Sequence, residues 1–172
     1  MRSFIPMPHK GGMVAAMFTH RLRPHSVFKV VDPERDSYFA FAEWCHSTKA
    51  HLQDPHFPHI RGISRVPPQG KIENLRILWT GKTHSYPVQV LPHFRLIEVE
   101  RLHPVHNLDH LDCSNAWSVM HGFKEPDTLL GYAAHKLSLA LPHLQSHLDL
   151  HPGNFMQRAN GQLVIIDPYS CG

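Results

Sequence analysis

The stretch HLDLHPGN, residues 147–154, decides the fold, together with Asp167 thirteen residues after its last member. Phosphoryl transfer needs a carboxylate that orients the attacking hydroxyl, and oxygen ligands that hold Mg²⁺ against nucleotide phosphates. Asp149 and Asn154 are five positions apart, which is the D-x-x-x-x-N spacing suited to that chemistry. Asp167 follows the apolar pair Ile165-Ile166, where a second magnesium ligand is expected. The tail of the chain therefore indicates phosphoryl transfer.

The front of the chain supplies a complementary cation. Lys29 lies inside the apolar run of residues 27–31, so that its ammonium can reach the α and β phosphates of a nucleotide. Gly11 and Gly12 lie shortly before the preceding predicted strand, where only glycine lets a loop pass close over phosphates. A lone strand lysine is more often an exposed edge residue. The order of all these features along the chain favours the functional interpretation.

Two segments carry a resemblance to a known family: GMVAAMFTHRLRPHSVFKV, residues 12–30, and DLHPGNFMQRANGQLVIIDPY, residues 149–169. The chain resembles the protein-kinase-like fold and is most similar to the early host-shutoff Ser/Thr protein kinases of T-seven-type bacteriophages. The resemblance implies an α+β, minimal two-lobed kinase-like fold in a single domain, residues 1–172. Residues 1–102 would form an antiparallel β N-lobe with one helix and the hinge. Residues 103–172 would form a shortened, mainly helical C-lobe.

The resemblance also implies a role for each matched residue. Lys29 would bind the ATP phosphates, Asp149 would be the catalytic base, and Asn154 and Asp167 would hold Mg²⁺. The expected cofactors are ATP and Mg²⁺, and the expected substrate is a Ser or Thr hydroxyl of a protein, suspected to be a host protein. Small kinase-fold effectors that bacterial pathogens inject into host cells are a second relative, because they also have a reduced C-lobe.

The rest of the nucleotide site is assigned by the same resemblance. Gly11 and Gly12 would cover the phosphates, and the hinge, residues 100–102, would contact adenine through Glu100 and Leu102. The acidic partner of Lys29 on the N-lobe helix is either Glu43 or Glu34. Residues 67–93 are interpreted as an inserted hairpin with no assigned role.

Two alternatives remain open. The sequence stops five residues after Asp167 without an A-P-E motif, so a pseudokinase that binds nucleotide but transfers no phosphate is one of them. The other is a metal-dependent hydrolase, which would leave Lys29 unexplained. Its ligands would come from His147, Asp149, His151, His106, Asp109, His110 and Asp112.

Composition excludes several other classes. The 172 residues fit one domain, and no apolar run approaches the roughly 20 residues of a membrane helix. A net charge of +3 without a Lys/Arg cluster argues against nucleic acid. Cys45, Cys113 and Cys171 are far apart, which indicates reduced thiols. Prolines interrupt any leader-like run, so we expect a cytoplasmic protein, in the host cytoplasm if phage-encoded or injected.

Periodicity predicts the main elements. The apolar patterns indicate helices over residues 34–51 and 127–146, with Asp127 as cap of the second and Leu129 on its buried stripe. Alternating or apolar runs indicate strands over residues 14–20, 26–31, 59–66, 94–102, 154–157 and 162–166.

Overall fold

The computed structural model describes residues 4–6, 15–66, 77–80, 85–88, 93–105 and 110–169. The strands are β1 (Phe4–Pro6), β2 (Ala15–His20), β3 (Arg23–Val31), β4 (Ile60–Arg65), β5 (Ile77–Thr80), β6 (Ser85–Val88), β7 (Arg95–Glu100), β8 (His103–Pro104), β9 (Phe155–Gln157) and β10 (Leu163–Ile165). The α-helices are α1 (Tyr38–Thr48), α2 (Ala50–Gln53), α3 (His110–Met120) and α4 (Leu129–Ala140). The predicted α+β class is confirmed.

The main sheet is antiparallel, with the strand order β1-β2-β3-β7-β4. Side chains alternate across β3, because successive residues of a strand point to opposite faces. Phe28 and Val30 pack in a small cluster on one face, whereas Val31 belongs to the main core with α1, α3 and α4. Lys29 has the same parity as Val31 and therefore points towards the main core side. This alternation brings a lysine to the side of the sheet that carries the helices.

Smaller sheets complete the architecture. The strands β5 and β6 pair as an antiparallel hairpin within the predicted insertion. The strands β9 and β10 form a second hairpin, which β8 extends on its β9 side. Gly161 has φ of 84° at its turn, a conformation that glycine adopts readily, so the predicted Asn160-Gly161 turn is confirmed. None of the helices in the described residues is long and apolar enough to cross a membrane.

Two helices differ from their predicted bounds. Residues 33–35 form a turn in which the amides of Arg35 and Asp36 donate to the Asp32 carbonyl, so α1 begins at Tyr38 rather than at residue 34. The α4 cap is Thr128, whose hydroxyl accepts from the Gly131 amide at 3.0 Å, rather than Asp127. Each helix starts where a side chain or carbonyl accepts the exposed amides of its first turn.

The surface of the α4 region also corrects the prediction. Leu129 is 75% exposed instead of lying on the buried stripe, whereas Leu130, Ala133 and Leu137 are buried. The helix ends at Ala140, before Pro142, as proline requires. The sequence patterns predicted no helix over residues 110–120, where α3 lies.

A stacked histidine pair joins α2 to the start of β4. The rings of His51 and His59 have centroids 4.0 Å apart and planes 17° apart. Burial lowers the pKa of both rings. The His59 ring and the Arg158 guanidinium lower the pKa of His51 further, and the Arg61 and Arg158 guanidiniums lower the pKa of His59 further. The carboxylate of Glu100 opposes this effect in part.

We expect this pair to destabilise the folded chain in mild acid. Both folded pKa values lie below the ordinary 6.5, so the unfolded chain binds more protons and the free energy of unfolding falls as the pH drops below about 6.5. Urea midpoints at pH 7.5 and 5.5 measure the fall. His51→Gln should reduce the difference between the two midpoints, and an unchanged difference would contradict the assignment.

Candidate functional site

An ion pair joins the front of the chain to its tail. The Nζ atom of Lys29 lies 2.9 Å from Oδ2 of Asp167, although the residues are 138 positions apart. Lys29 stands opposite Met17 of β2 and Ile97 of β7, in the interior of the sheet, and is only 8% exposed. The side chain of Asp167 is 36% exposed. The lysine is therefore not the exposed edge residue that a strand lysine usually is.

Hydrogen bonds place Asp149 and Asn154 beside the segment that carries Asp167. The side-chain amide of Asn154 donates to the backbone carbonyl of Asp149. The Asp149 amide donates to the Pro168 carbonyl at 3.0 Å, and the Ile166 amide donates to the Asn154 carbonyl at 2.9 Å. The structure thus joins Lys29 to Asp167 and places Asp149 and Asn154 against the residues on either side of Asp167.

The turn between Asp149 and Asn154 is fixed by His151. Residues Pro152–Asn154 form a 3₁₀ turn, in which the Gly153 amide donates to Nδ1 of His151 at 3.1 Å. A Cβ atom at Gly153 would lie 2.8 Å from Cε1 of this exposed ring, so a larger residue at position 153 would have to displace the ring. His151 therefore shapes the loop through the ring nitrogen that faces the turn.

Lys29 has two further neighbours that the sequence analysis missed, Tyr38 and Asp36. The Nζ atom lies 3.4 Å from the centroid of the Tyr38 ring. Asp36 is 6% exposed, and its Oδ1 accepts from the Tyr38 amide at 3.0 Å. Burial raises the pKa of Asp36, and the Lys29 charge opposes this rise. The signal in the sequence that could have identified them is an aspartate two positions before the aromatic residue at which the helix begins.

The two glutamates considered as partners of Lys29 are placed differently. Glu34 lies in the turn before α1 and Glu43 within α1, and both are exposed. The acidic side chain bonded to Lys29 is Asp167. A glutamate from α1 is therefore not the partner of the lysine in this structure.

The predicted hinge holds a partly buried ion pair. Oε1 of Glu100 accepts from the His59 amide at 2.8 Å and from Nη2 of Arg158 at 2.6 Å, and Oε2 accepts from Nε of Arg158 at 3.1 Å. Burial alone would raise the pKa of Glu100, but the Arg158 and His59 hydrogen bonds lower it below its usual value. Leu102 is buried. The Glu100 side chain is thus committed to Arg158 and to the His59 amide. The amides of Glu100 and Arg101 donate to the His59 and His25 carbonyls, and the adenine contact of the hinge stays a prediction.

One group of side chains in the described part of the chain could hold a metal ion. Ligand atoms of Asp32, Glu34 and His93 all lie within 4.8 Å of one another. Nε2 of His93 is 3.4 Å from Oδ1 of Asp32. Because Val31 pairs with Arg95 and Ser26 with Glu100, this group lies at the end of the sheet away from the hinge.

The hydrolase alternative named a different set. His147, Asp149 and His151 do not form such a group of close ligand atoms, in the part of the chain where side chains are described. His106 and Asp109 lie outside the described residues, as do the side chains of His110 and Asp112. Gly11 and Gly12 also lie outside them.

No family model matches the chain, and no curated protein matches it. The assignment of the site therefore rests on its residues and their geometry.

Proposed function

We propose that the chain is an ATP- and Mg²⁺-dependent phosphotransferase, a Ser/Thr protein kinase with a minimal two-lobed kinase-like fold. The observation that carries the proposal is the 2.9 Å contact between Nζ of Lys29 and Oδ2 of Asp167. A strand lysine that binds phosphates and a tail aspartate that binds magnesium must face each other across one nucleotide. The division into an N-lobe, residues 1–102, and a C-lobe, residues 103–172, belongs to the same proposal.

The donor atoms at the site suit magnesium. Asp167 keeps Oδ1 outside its contact with Lys29, and Asn154 uses its amide nitrogen on the Asp149 carbonyl, which leaves its side-chain oxygen for another partner. Carboxylate and amide oxygens are the hard ligands that Mg²⁺ prefers. When bound, the ion would neutralise charge on the nucleotide phosphates. Asn154 and Asp167 would hold it.

The remaining residues act directly on nucleotide and substrate. Lys29 places its ammonium against the phosphates. The Asp149 side chain is exposed while its backbone is tied to Asn154 and Pro168, so its carboxylate can accept a proton from an incoming hydroxyl. We propose a protein Ser or Thr as that hydroxyl, on a host protein in the host cytoplasm, as for a phage-encoded or injected kinase.

Incubation with γ-labelled ATP, Mg²⁺ and a cell lysate tests the function. We expect the protein to label itself or a target, and EDTA in excess over Mg²⁺ to abolish the labelling. The same protein with Asp127→Asn, an exposed change outside the site, is the control and should label normally. Binding of MgATP without transfer would identify a pseudokinase. Absence of nucleotide binding would overturn the proposal.

A further inference from the structure

We propose that Tyr38 is the positioning residue for Lys29, through the face of its ring, and that Asp36 holds Tyr38 in place. The catalytic meaning of this assignment rests on the proposed kinase function. In protein kinases an ion pair with a helix glutamate orients the lysine. Here α1 has no acidic residue in its first turn, and its Glu43 is exposed. The Lys29 ammonium, which also bonds Asp167, therefore needs another group in the place of that glutamate.

The ring of Tyr38 meets the requirements for that role. Its centroid is 3.4 Å from Nζ of Lys29, well within the roughly 6 Å over which a cation is attracted to an aromatic face. Tyr38 is 3% exposed and Lys29 8% exposed, so water competes little for the ammonium. The attraction between a cation and a ring is stronger when both are removed from water. The contact leaves Nζ free to bond Asp167 at the same time.

Neighbouring groups hold the ring where it is. The amide of Tyr38 donates to Oδ1 of Asp36, which fixes the first residue of α1. The Phe41 ring packs against the Tyr38 ring with centroids 6.0 Å apart. Asp36 is also a buried carboxylate close enough to Lys29 to feel its charge, which helps to offset the cost of burying the ammonium. Tyr38 and Asp36 together replace one helix glutamate.

The spectroscopic test uses the unaltered protein first. Protons held above an aromatic ring are shifted upfield, so the ε-methylene protons of Lys29 should be displaced upfield in the wild-type spectrum. Tyr38→Phe keeps the ring and should keep the shift, whereas Tyr38→Leu and Tyr38→Met should lose it. Tyr132→Leu, at an exposed position of α4, is the matched control and should leave the Lys29 shifts unchanged. Ordinary Lys29 shifts in the wild type would overturn the proposal.

The functional test measures MgATP affinity by calorimetry on variants whose melting temperature stays near that of the wild type. We expect about a 10-fold loss for Tyr38→Leu or Tyr38→Met and near-normal affinity for Tyr38→Phe. Wild-type affinity in a folded Leu or Met variant would overturn the positioning role. If the wild type binds no nucleotide while the ring shift follows the pattern above, the kinase proposal fails and the Tyr38 contact stands.

Discussion

Replacing Asp149 by alanine is expected to lower phosphoryl transfer from ATP by about 10²- to 10⁴-fold, the usual contribution of a general base. The affinity for MgATP should change little, because the contacts that hold Asp149 are made by its backbone amide and carbonyl and survive truncation of the side chain. Initial rates with labelled ATP, beside calorimetric binding of MgATP, separate the two effects.

The control for this change is another exposed aspartate. Asp127 bonds Lys124 at 2.6 Å before α4, so Asp127→Ala alters a surface carboxylate without touching the loop around Asp149. We expect its transfer rate to match that of the wild type. Equal rates for Asp149→Ala and wild type would remove Asp149 from the mechanism. A parallel loss of nucleotide binding would show that its carboxylate holds the nucleotide instead.

The residues that sequence reasoning identified are those whose chemistry is encoded locally. Asp149 and Asn154 share one short loop, so their spacing alone predicts that they lie together. Lys29 stands out because a charged residue interrupts an apolar strand. The contact between Lys29 and Asp167 was predicted only from the order of the elements along the chain, because the sequence around either residue does not indicate its partner.

The residues that it missed depend on tertiary structure. Tyr38 reaches Lys29 because α1 begins at residue 38, and that start depends on the turn at Asp32 and on Asp36. The helix α3 was missed because polar residues mask its pattern, although Ala116, Val119 and Met120 follow the three- and four-residue spacing of a buried helical face. In both cases the burial that identifies these residues is seen only in the packed fold.

Arg158 contacts residues far from it in the sequence, and we expect Arg158→Met to lower the free energy of unfolding by about 2–4 kcal/mol. Its guanidinium bonds both oxygens of Glu100, the Phe57 carbonyl at 3.0 Å and the Pro55 carbonyl. It thereby ties the β9–β10 hairpin to the end of β7 and to the loop before β4. Without it Glu100, whose side chain is 15% exposed, keeps a mostly buried charge with no guanidinium beside it.

Urea unfolding at pH 7 measures the loss, with Arg101→Met as the control. Arg101 is exposed, and its guanidinium donates a long hydrogen bond, 3.4 Å, to the Pro24 carbonyl, so the loss of this side chain should cost less than about 0.5 kcal/mol. Adding Glu100→Gln to Arg158→Met should recover part of the stability, because the unpaired charge is then removed.

The pKa of Glu100 lies below its ordinary 4.5 in the folded chain. The contribution of Glu100 to stability is therefore present above pH 4.5 and disappears as the pH falls through the folded pKa. The difference in free energy of unfolding between wild type and Arg158→Met should therefore become smaller in acid. A difference that is small at pH 7, or that does not change with pH, would show that the pair of Arg158 and Glu100 does not stabilise the fold.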